Sequence, residues 1–175
     1  MHHVENPEEC GARLRDKLRE IYYHRDLNLS GIELEEEDLT SYTFTVCNFS
    51  EGFFRNVDFS MSRLKLCFFQ YSTFIDCSFS RSNIKYSVFS GSSFTGCVFS
   101  HSEIVHSNFL GIRADNCTFN NSDLYYSNFT SSHLSGVTMV DCNLKKSDFV
   151  NSSRENVSFK YSNYEEARFQ EDTPL

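Results

Sequence analysis

Side chains that commonly take part in catalysis are present but scattered. The chain holds six His, 16 Lys and Arg, and 24 Asp and Glu, and His101, His106 and His133 fall at different outward places, on separate coils or corners of the repeat described below. A catalytic base needs an oriented partner and a pocket. The sequence has no Gly-rich phosphate loop, no nucleophile elbow and no His-Glu-x-x-His motif. We therefore predict no catalytic residue, no enzyme activity and no cofactor.

Seven cysteines raise the question of disulfides or a metal site. Six of them occupy one repeating slot that Ser, Val, Gly or Ala otherwise fills, and a buried thiol there behaves as a small apolar group. Cys77, Cys97 and Cys117 would stack close enough for a bridge, but side chains in a ladder point the same way. We predict reduced core thiols and no metal, because a line of thiols offers no tetrahedral site.

A five-residue period from Leu34 to Phe169 positions all of these residues. Every fifth residue in this range is large and mostly apolar, and of the 18 Phe only Phe53 and Phe68 lie off the series. A small residue comes two positions earlier in nearly every block. Five matches neither the 3.6-residue period of a helix nor the 2.0-residue period of a strand.

Each block therefore reads as a very short strand followed by a turn. Four blocks close a square coil of 20 residues, in which residue n lies above residue n−20 at roughly 4.8 Å. About seven such coils would form a rod in which each coil contacts only its neighbours. The arrangement predicts inward stacks, the first of which is Phe49, Phe69, Phe89, Phe109, Phe129, Phe149 and Phe169.

Blocks such as Cys47-Asn48-Phe49-Ser50 and Ser147-Asp148-Phe149 resemble the pentapeptide-repeat family. The family consensus is a small residue, Asp or Asn, Leu or Phe, and two polar residues, and the resemblance covers about 29–169. It implies an all-β solenoid, the right-handed quadrilateral β-helix of that family. Residues that tolerate positive φ recur two positions after the large residue at one corner: Asn56, Asp76, Gly96, Asn116, Gly136 and Asn156.

The chain divides into three predicted segments. Residues 1–25 form an N-terminal segment with a capping helix at about 8–23, which begins at an Asn-Pro-Glu-Glu helix start and would cover the edge of the first coil. Residues 26–170 form the β-helix, and residues 171–175 form a tail. Arg154 falls at an inward position, and we interpret it as a local bulge near the end of the rod.

The sequence contains no apolar run long enough to span a membrane and no Sec-type signal peptide. We therefore expect a cytoplasmic protein, exported by a non-Sec route if it is an effector. No sequence pattern covers the edge of the last coil. Related gyrase-protecting members of the family dimerise through their C-terminal ends, so the resemblance implies a homodimer through the C-terminal coil.

Function is expected on the outer surface because the interior is filled. The first hypothesis is a non-enzymatic protein–protein interaction scaffold, a bacterial effector or regulator with an unidentified protein partner. A contiguous apolar patch marks a contact surface more often than not, although strand-surface residues without a partner would look the same. The candidate partner-binding residues are Leu66, Phe68, Tyr86, Val88, Val105, His106, Tyr125 and Tyr126.

The alternative hypothesis is DNA mimicry. Some pentapeptide-repeat proteins resemble a B-DNA rod, bind type II topoisomerases such as gyrase, and protect them from quinolones or toxins. A net charge of −8 favours this reading, and the candidate acidic patch is Glu33, Glu35, Glu36, Glu37 and Asp38. However, residues 40–150 hold eight acids and eight bases, and the register-breaking loops of Qnr-type members are absent. Neither hypothesis involves direct contact with nucleic acid or a membrane.

Overall fold

The structure is a computed structural model that describes residues 21–170. This part of the chain contains twelve strands of three residues each and no helix. The strands are β1 (Tyr23–Arg25), β2 (Glu33–Glu35), β3 (Thr43–Thr45), β4 (Phe53–Arg55), β5 (Arg63–Lys65), β6 (Thr73–Ile75), β7 (Asn83–Lys85), β8 (Ser93–Thr95), β9 (Glu103–Val105), β10 (Arg113–Asp115), β11 (His133–Ser135) and β12 (Ser153–Glu155).

All strand pairs are parallel, and each residue pairs with the residue 20 positions further along, as Phe44 does with Leu64. One sheet has the order β1-β3-β5-β7-β9, and the other has the order β2-β4-β6-β8-β10-β11-β12. Isolated bridges with the same spacing form two further columns, one from Asn28 to Arg168 and one from Asp38 to Ser158. The predicted all-β solenoid of about seven coils is confirmed. Its right-handed sense stays a prediction from the family resemblance.

Each coil therefore has four sides, which we number in chain order. Side 1 holds β1, β3, β5, β7 and β9, and side 2 holds the bridge column from Asn28 to Arg168. Side 3 holds β2 and the other strands of its sheet, and side 4 holds the column from Asp38 to Ser158. Corners are named by the sides they join, so corner 1/2 lies diagonally opposite corner 3/4.

The core is a set of columns of stacked rings. Phe49 and Phe69 have ring centroids 4.7 Å apart and planes 3° apart, and the stack continues in the same way to Phe149 and Phe169, 5.0 Å apart. A second column begins with Phe59 and Phe79, 4.9 Å apart. The inward stacking predicted from the period is confirmed, because the spacing of the rings matches the spacing of paired backbones.

Small inward residues connect one coil to the previous one through their side chains. The hydroxyl of Ser92 donates a hydrogen bond to the carbonyl of Phe69 at 2.6 Å, and Ser132 donates likewise to Phe109 at 2.9 Å. The thiol of Cys67 makes the equivalent contact with the carbonyl of Phe44 at 3.4 Å. A buried hydroxyl costs little when it is hydrogen-bonded, so Ser and Cys are interchangeable in this slot.

The corners share one backbone conformation. Every fifth residue from Asp26 to Glu166 has φ between 52° and 71°, which is the left-handed region. The prediction of positive φ at corner 3/4, at Asn56 and the residues stacked on it, is confirmed, and the same conformation recurs at the other three corners. Only some of those corners carry the Gly, Asn or Asp that this conformation favours.

The N-terminal end of the described chain differs from the prediction. Most of the helix predicted for 8–23 lies outside the described residues, but Ile21 and Tyr22 are not helical and Tyr23 begins β1. The repeat register extends back to His24, whose ring stacks on Phe44 at 5.2 Å. Burial lowers the pKa of His24 below its ordinary value, because a charged imidazole would lose its hydration there.

The C-terminal end contains an inward arginine without a bulge. β12 keeps the regular register, with Arg154 paired to Leu134, so the bulge predicted at Arg154 is wrong. The guanidinium lies over the ring of Phe169 at 5.0 Å, and none of its three nitrogens has a hydrogen-bond partner. Burial accordingly lowers the Arg154 pKa. The contact with the Phe169 ring is the one interaction of the guanidinium that residues 21–170 provide. The homodimer through this coil stays a prediction.

A paired substitution tests the inward and outward assignment. We expect Phe69→Ala to lower the free energy of unfolding by about 3–5 kcal/mol, because it leaves a cavity inside the central ring stack. Phe68→Ala, at the exposed neighbouring position, should change it by less than about 0.5 kcal/mol. Urea unfolding followed by circular dichroism measures both, and equal losses would contradict the assignment.

Candidate interaction surface

The structure brings the eight predicted partner-binding residues together on one edge of the rod. We call them the stripe: Leu66, Phe68, Tyr86, Val88, Val105, His106, Tyr125 and Tyr126. Leu66, Tyr86, His106 and Tyr126 lie at corner 1/2, while the other four lie on side 1 or side 2 next to it. Leu66 is 41% exposed, Tyr86 49% and Tyr126 57%. The stripe is therefore an accessible apolar surface.

Ring contacts join the stripe residues of neighbouring coils. Tyr86 stacks on His106 with centroids 5.3 Å apart and planes 17° apart. His106 also contacts Tyr126 at 5.0 Å and the edge of Tyr125 at 5.6 Å. The rings hold one another in place, so this edge presents an ordered surface.

Side 2 extends the stripe into a shallow groove that the sequence interpretation missed. The groove has a volume of about 630 Å³, and its lining includes Phe68, Val88, Gln70 and Tyr71. Tyr71 lies at corner 2/3 and is 72% exposed. Its ring lies against Gly91, where an added Cβ would come within 2.7 Å of it. The sequence signal for this contact was a Tyr followed 20 residues later by a Gly in the same column.

The acidic patch lies diagonally opposite the stripe. Glu36 occupies corner 3/4, while Glu33 and Glu35 lie on side 3 and Asp38 lies on side 4. Glu37 sits at a small inward position and is half-buried. Hydrogen bonds from Thr40 hold the pKa of Asp38 below its ordinary value. The five residues wrap around the first coil and do not form a line along the rod.

About half of the charged residues along the body of the rod form ion pairs. Lys85 and Glu103 are 2.6 Å apart, Lys145 and Glu165 are 3.0 Å apart, and Glu35 lies 3.9 Å from Arg55. Exposed pairs of this kind contribute little stability. The equal numbers of acids and bases in the body therefore correspond to local pairing only in part, because Arg63, Lys65 and Arg81 form no ion pair within residues 21–170.

The buried thiols differ in how readily they ionise, because hydrogen bonds with Cys97 lower the pKa of Cys77 and Cys117 while the other buried thiols have a raised pKa. Cys47, Cys67, Cys77, Cys97, Cys117 and Cys142 are all buried and free. Burial raises the pKa of Cys67 to about 12, and hydrogen bonds with Cys117 and Cys77 raise that of Cys97. A thiol must ionise to act as a nucleophile or a metal ligand. Within residues 21–170, no three or more His, Cys, Asp and Glu side chains are grouped to hold a metal ion.

The geometry defines a class of protein: a closed repeat solenoid whose interior is filled and whose variable positions face outward. Two family models match the chain, "Pentapeptide repeat region" at residues 92–169 and "Pentapeptide repeats (8 copies)" at residues 62–100 and 72–110. Together they span 62–169, which is more than half of the sequence. The chain belongs to the pentapeptide-repeat family.

Several solved structures are similar to this chain at low identity. HetL, a pentapeptide-repeat protein involved in heterocyst differentiation regulation from the cyanobacterium Nostoc sp. strain PCC 7120, is 12% identical, with 87% of this chain and 93% of HetL covered and a TM-score of 0.47. A trypsin-treated QnrB1, a plasmid-mediated fluoroquinolone resistance protein, is 12% identical, with 85% and 84% covered and a TM-score of 0.44.

A third similar structure is Rfr23 from the cyanobacterium Cyanothece 51142. It is 14% identical, with 85% of this chain and 98% of Rfr23 covered and a TM-score of 0.40. At these identities and scores, no argument about function rests on the three structures. No curated protein matches the sequence significantly. No helix within residues 21–170 is long and apolar enough to cross a membrane.

Corner 1/2 carries bulky residues in a backbone conformation that disfavours them, as Met61, Tyr71 and Tyr161 do at other corners. Val46, Leu66, Tyr86 and Tyr126 all have φ near +56°, although a left-handed conformation costs a non-Gly residue roughly 1–2 kcal/mol. At corner 3/4 the same conformation is occupied mostly by Gly, Asn and Asp. Backbone cost at a bulky, exposed residue is characteristic of functional positions.

We expect Leu66→Asn to raise the free energy of unfolding by about 1 kcal/mol, because Asn tolerates the left-handed region better than Leu. The matched control is Asn56→Leu at corner 3/4, where φ is 52°, and it should lower the stability by a similar amount. Thermal unfolding of both variants checks this. A loss of stability in Leu66→Asn would mean that Leu66 is kept for packing and would remove the argument from backbone cost.

Proposed function

We propose that this protein is a non-enzymatic protein–protein interaction scaffold that presents the stripe to a partner protein. The observation that carries the proposal is the contiguous exposed apolar surface of the stripe, built on a corner whose backbone disfavours such residues. Exposed apolar patches of this kind mark contact sites on soluble domains. Tyr is also enriched among the residues that dominate binding energy.

The interior supports a role on the surface and not a catalytic role. The largest core side chains, from Phe44 to Phe119, are almost fully buried against one another. A substrate would need a concave pocket with convergent polar groups, and the stacked rings leave no room for one inside the described coils. The grooves found are shallow and lie on the outer sides.

The main competing explanation is that the stripe rings only stabilise one another. Stacked aromatic pairs contribute about 0.5–1.5 kcal/mol each, which offsets part of the backbone cost at Tyr86 and Tyr126. That explanation does not account for Leu66, which has no ring, or for Phe68, which is exposed and makes no ring–ring contact within residues 21–170. The explanation by mutual stabilisation also predicts that removal of the rings lowers the stability of the fold and leaves partner binding unchanged.

The double variant Tyr86→Ala with Tyr126→Ala tests the scaffold proposal. We expect the double variant to remain folded and to lose partner capture in a pull-down by more than about tenfold. The reason is that the variant lacks two rings that a bound partner would bury. The matched control is Tyr161→Ala, which is highly exposed but lies at corner 4/1, and it should capture normally. Unchanged capture by the double variant, with intact circular dichroism, would contradict the proposal.

DNA mimicry is the second candidate function. Exposure of Glu33, Glu35, Glu36 and Asp38 on the first coil and the net charge of −8 support it, and the neutral body weighs against it. As a mimic, the purified protein would relieve quinolone inhibition of gyrase supercoiling, and the triple variant Glu33→Gln, Glu35→Gln and Glu36→Gln would do so less. No relief at micromolar concentrations would remove this candidate.

A further inference from the structure

A basic patch borders the stripe on side 1. Arg63 and Lys65 lie on β5, Lys85 lies on β7 directly above Lys65, and Arg81 lies at corner 4/1. Arg63, Lys65 and Arg81 form no ion pair with any residue of the described chain, whereas Lys85 is paired with Glu103. Like charges directly opposite one another in a sheet are destabilising, so the repulsion between Lys65 and Lys85 lowers the stability of the fold.

The basic patch and the acidic patch face away from each other. Side 1 faces side 3, where Glu33 and Glu35 lie, and corner 1/2 is diagonally opposite corner 3/4, where Glu36 and Asp76 lie. Arg55 on side 3 is paired with Glu35, so within the first four coils the positive charges without an ion pair are those of Arg63, Lys65 and Arg81, beside the apolar surface. Complementary charge selects and orients a partner at an interface.

We propose that the stripe and the basic patch together bind an acidic segment of a partner protein that also carries aromatic or aliphatic residues. Its apolar side chains would cover Leu66, Phe68 and Tyr86, and its carboxylates would lie near Arg63, Lys65 and Arg81. Arg is suited to this role because its planar guanidinium binds carboxylates with two hydrogen bonds. This inference rests on the proposed scaffold function and specifies the chemistry of the partner.

An acidic peptide fits this surface better than single-stranded nucleic acid. Nucleic acids use aromatic side chains as platforms for stacking bases. Here the Tyr86 and His106 rings are nearly parallel at 5.3 Å, so no base can insert between them. The adjoining residues Leu66 and Val88 are aliphatic, which suits apolar side chains and not bases. The net charge of −8 also repels a polyanion at long range.

The inference is tested with a fluorescein-labelled peptide of repeating Glu-Phe-Asp-Leu sequence, measured by fluorescence anisotropy against the full chain. A peptide with Gln and Asn in place of Glu and Asp should bind about tenfold more weakly, because the charge contacts are lost. The variant Arg63→Gln with Lys65→Gln should weaken binding of the acidic peptide by a similar factor and reduce its salt dependence. The matched control is Arg113→Gln with Lys160→Gln, which removes the same charge away from the stripe, and it should bind as the unaltered chain does.

Three results would overturn the inference. They are equal binding of the acidic and amide peptides, equal binding by the two charge variants, and tighter binding of an oligothymidylate at the same site. The scaffold proposal is judged separately by capture with the Tyr86→Ala and Tyr126→Ala variant. If that variant loses capture while the Arg63 and Lys65 variant retains it, the scaffold stands and the charge inference fails. If neither variant loses capture, both fail.

Discussion

The structure depends on the match between two spacings. Parallel backbones in a sheet lie about 4.8 Å apart, and the rings of Phe49 and Phe69 lie 4.7 Å apart with nearly parallel planes. A coil of 20 residues satisfies both at once, because it puts each inward ring directly over the ring of the previous coil. An insertion of even one residue that is not looped out at a corner would displace every later ring from its column. The unbroken register from Leu34 to Phe169 is the consequence of this constraint.

The small inward residues leave room for the rings and connect neighbouring coils, and the corner residues turn the chain. A short side chain at the position of Ser92 leaves room for the neighbouring rings and donates its hydroxyl to the carbonyl of Phe69 in the previous coil. The left-handed residue at each corner then turns the chain without using additional residues. Both features are local, so each coil is stabilised through its neighbours, as in other solenoids. Stability is therefore distributed along the rod, and the outer positions are free to vary.

The inward columns could be predicted from the sequence because the five-residue pattern that defines them is repeated in every block from Leu34 to Phe169. The exceptions lie where the repeat ends. His24 extends the register into residues whose apolar spacing also suits a helix, and Arg154 keeps the register through its strand pairing with Leu134 while its guanidinium packs on the ring of Phe169. Tyr71 was missed for a different reason: its contact with Gly91 joins two corners of neighbouring coils, and residue types alone do not show which outward side chains lean along the rod. Similarly, equal numbers of acids and bases in the body could be counted from the residues, but the count does not show which of them pair.

The way the backbone is used limits how any partner can be recognised. Along the sides of the rod, the N–H and C=O groups bond to the coils above and below, as Phe69 N–H does to Val88 C=O at 2.7 Å. A partner on these sides therefore cannot add a strand to the sheet, as it does at an exposed sheet edge, and must be recognised through side chains alone.

Most outward positions are small or paired polar residues that offer little binding energy. Corner 1/2 carries bulky residues at positive φ, as Met61, Tyr71 and Tyr161 do at other corners, and it differs from those corners in its row of contacting rings and in the unpaired charges of Arg63 and Lys65 beside it. Folding requires none of them, because corner 3/4 makes the same turn with Gly, Asn and Asp, so a role in binding explains them more economically than a role in the fold.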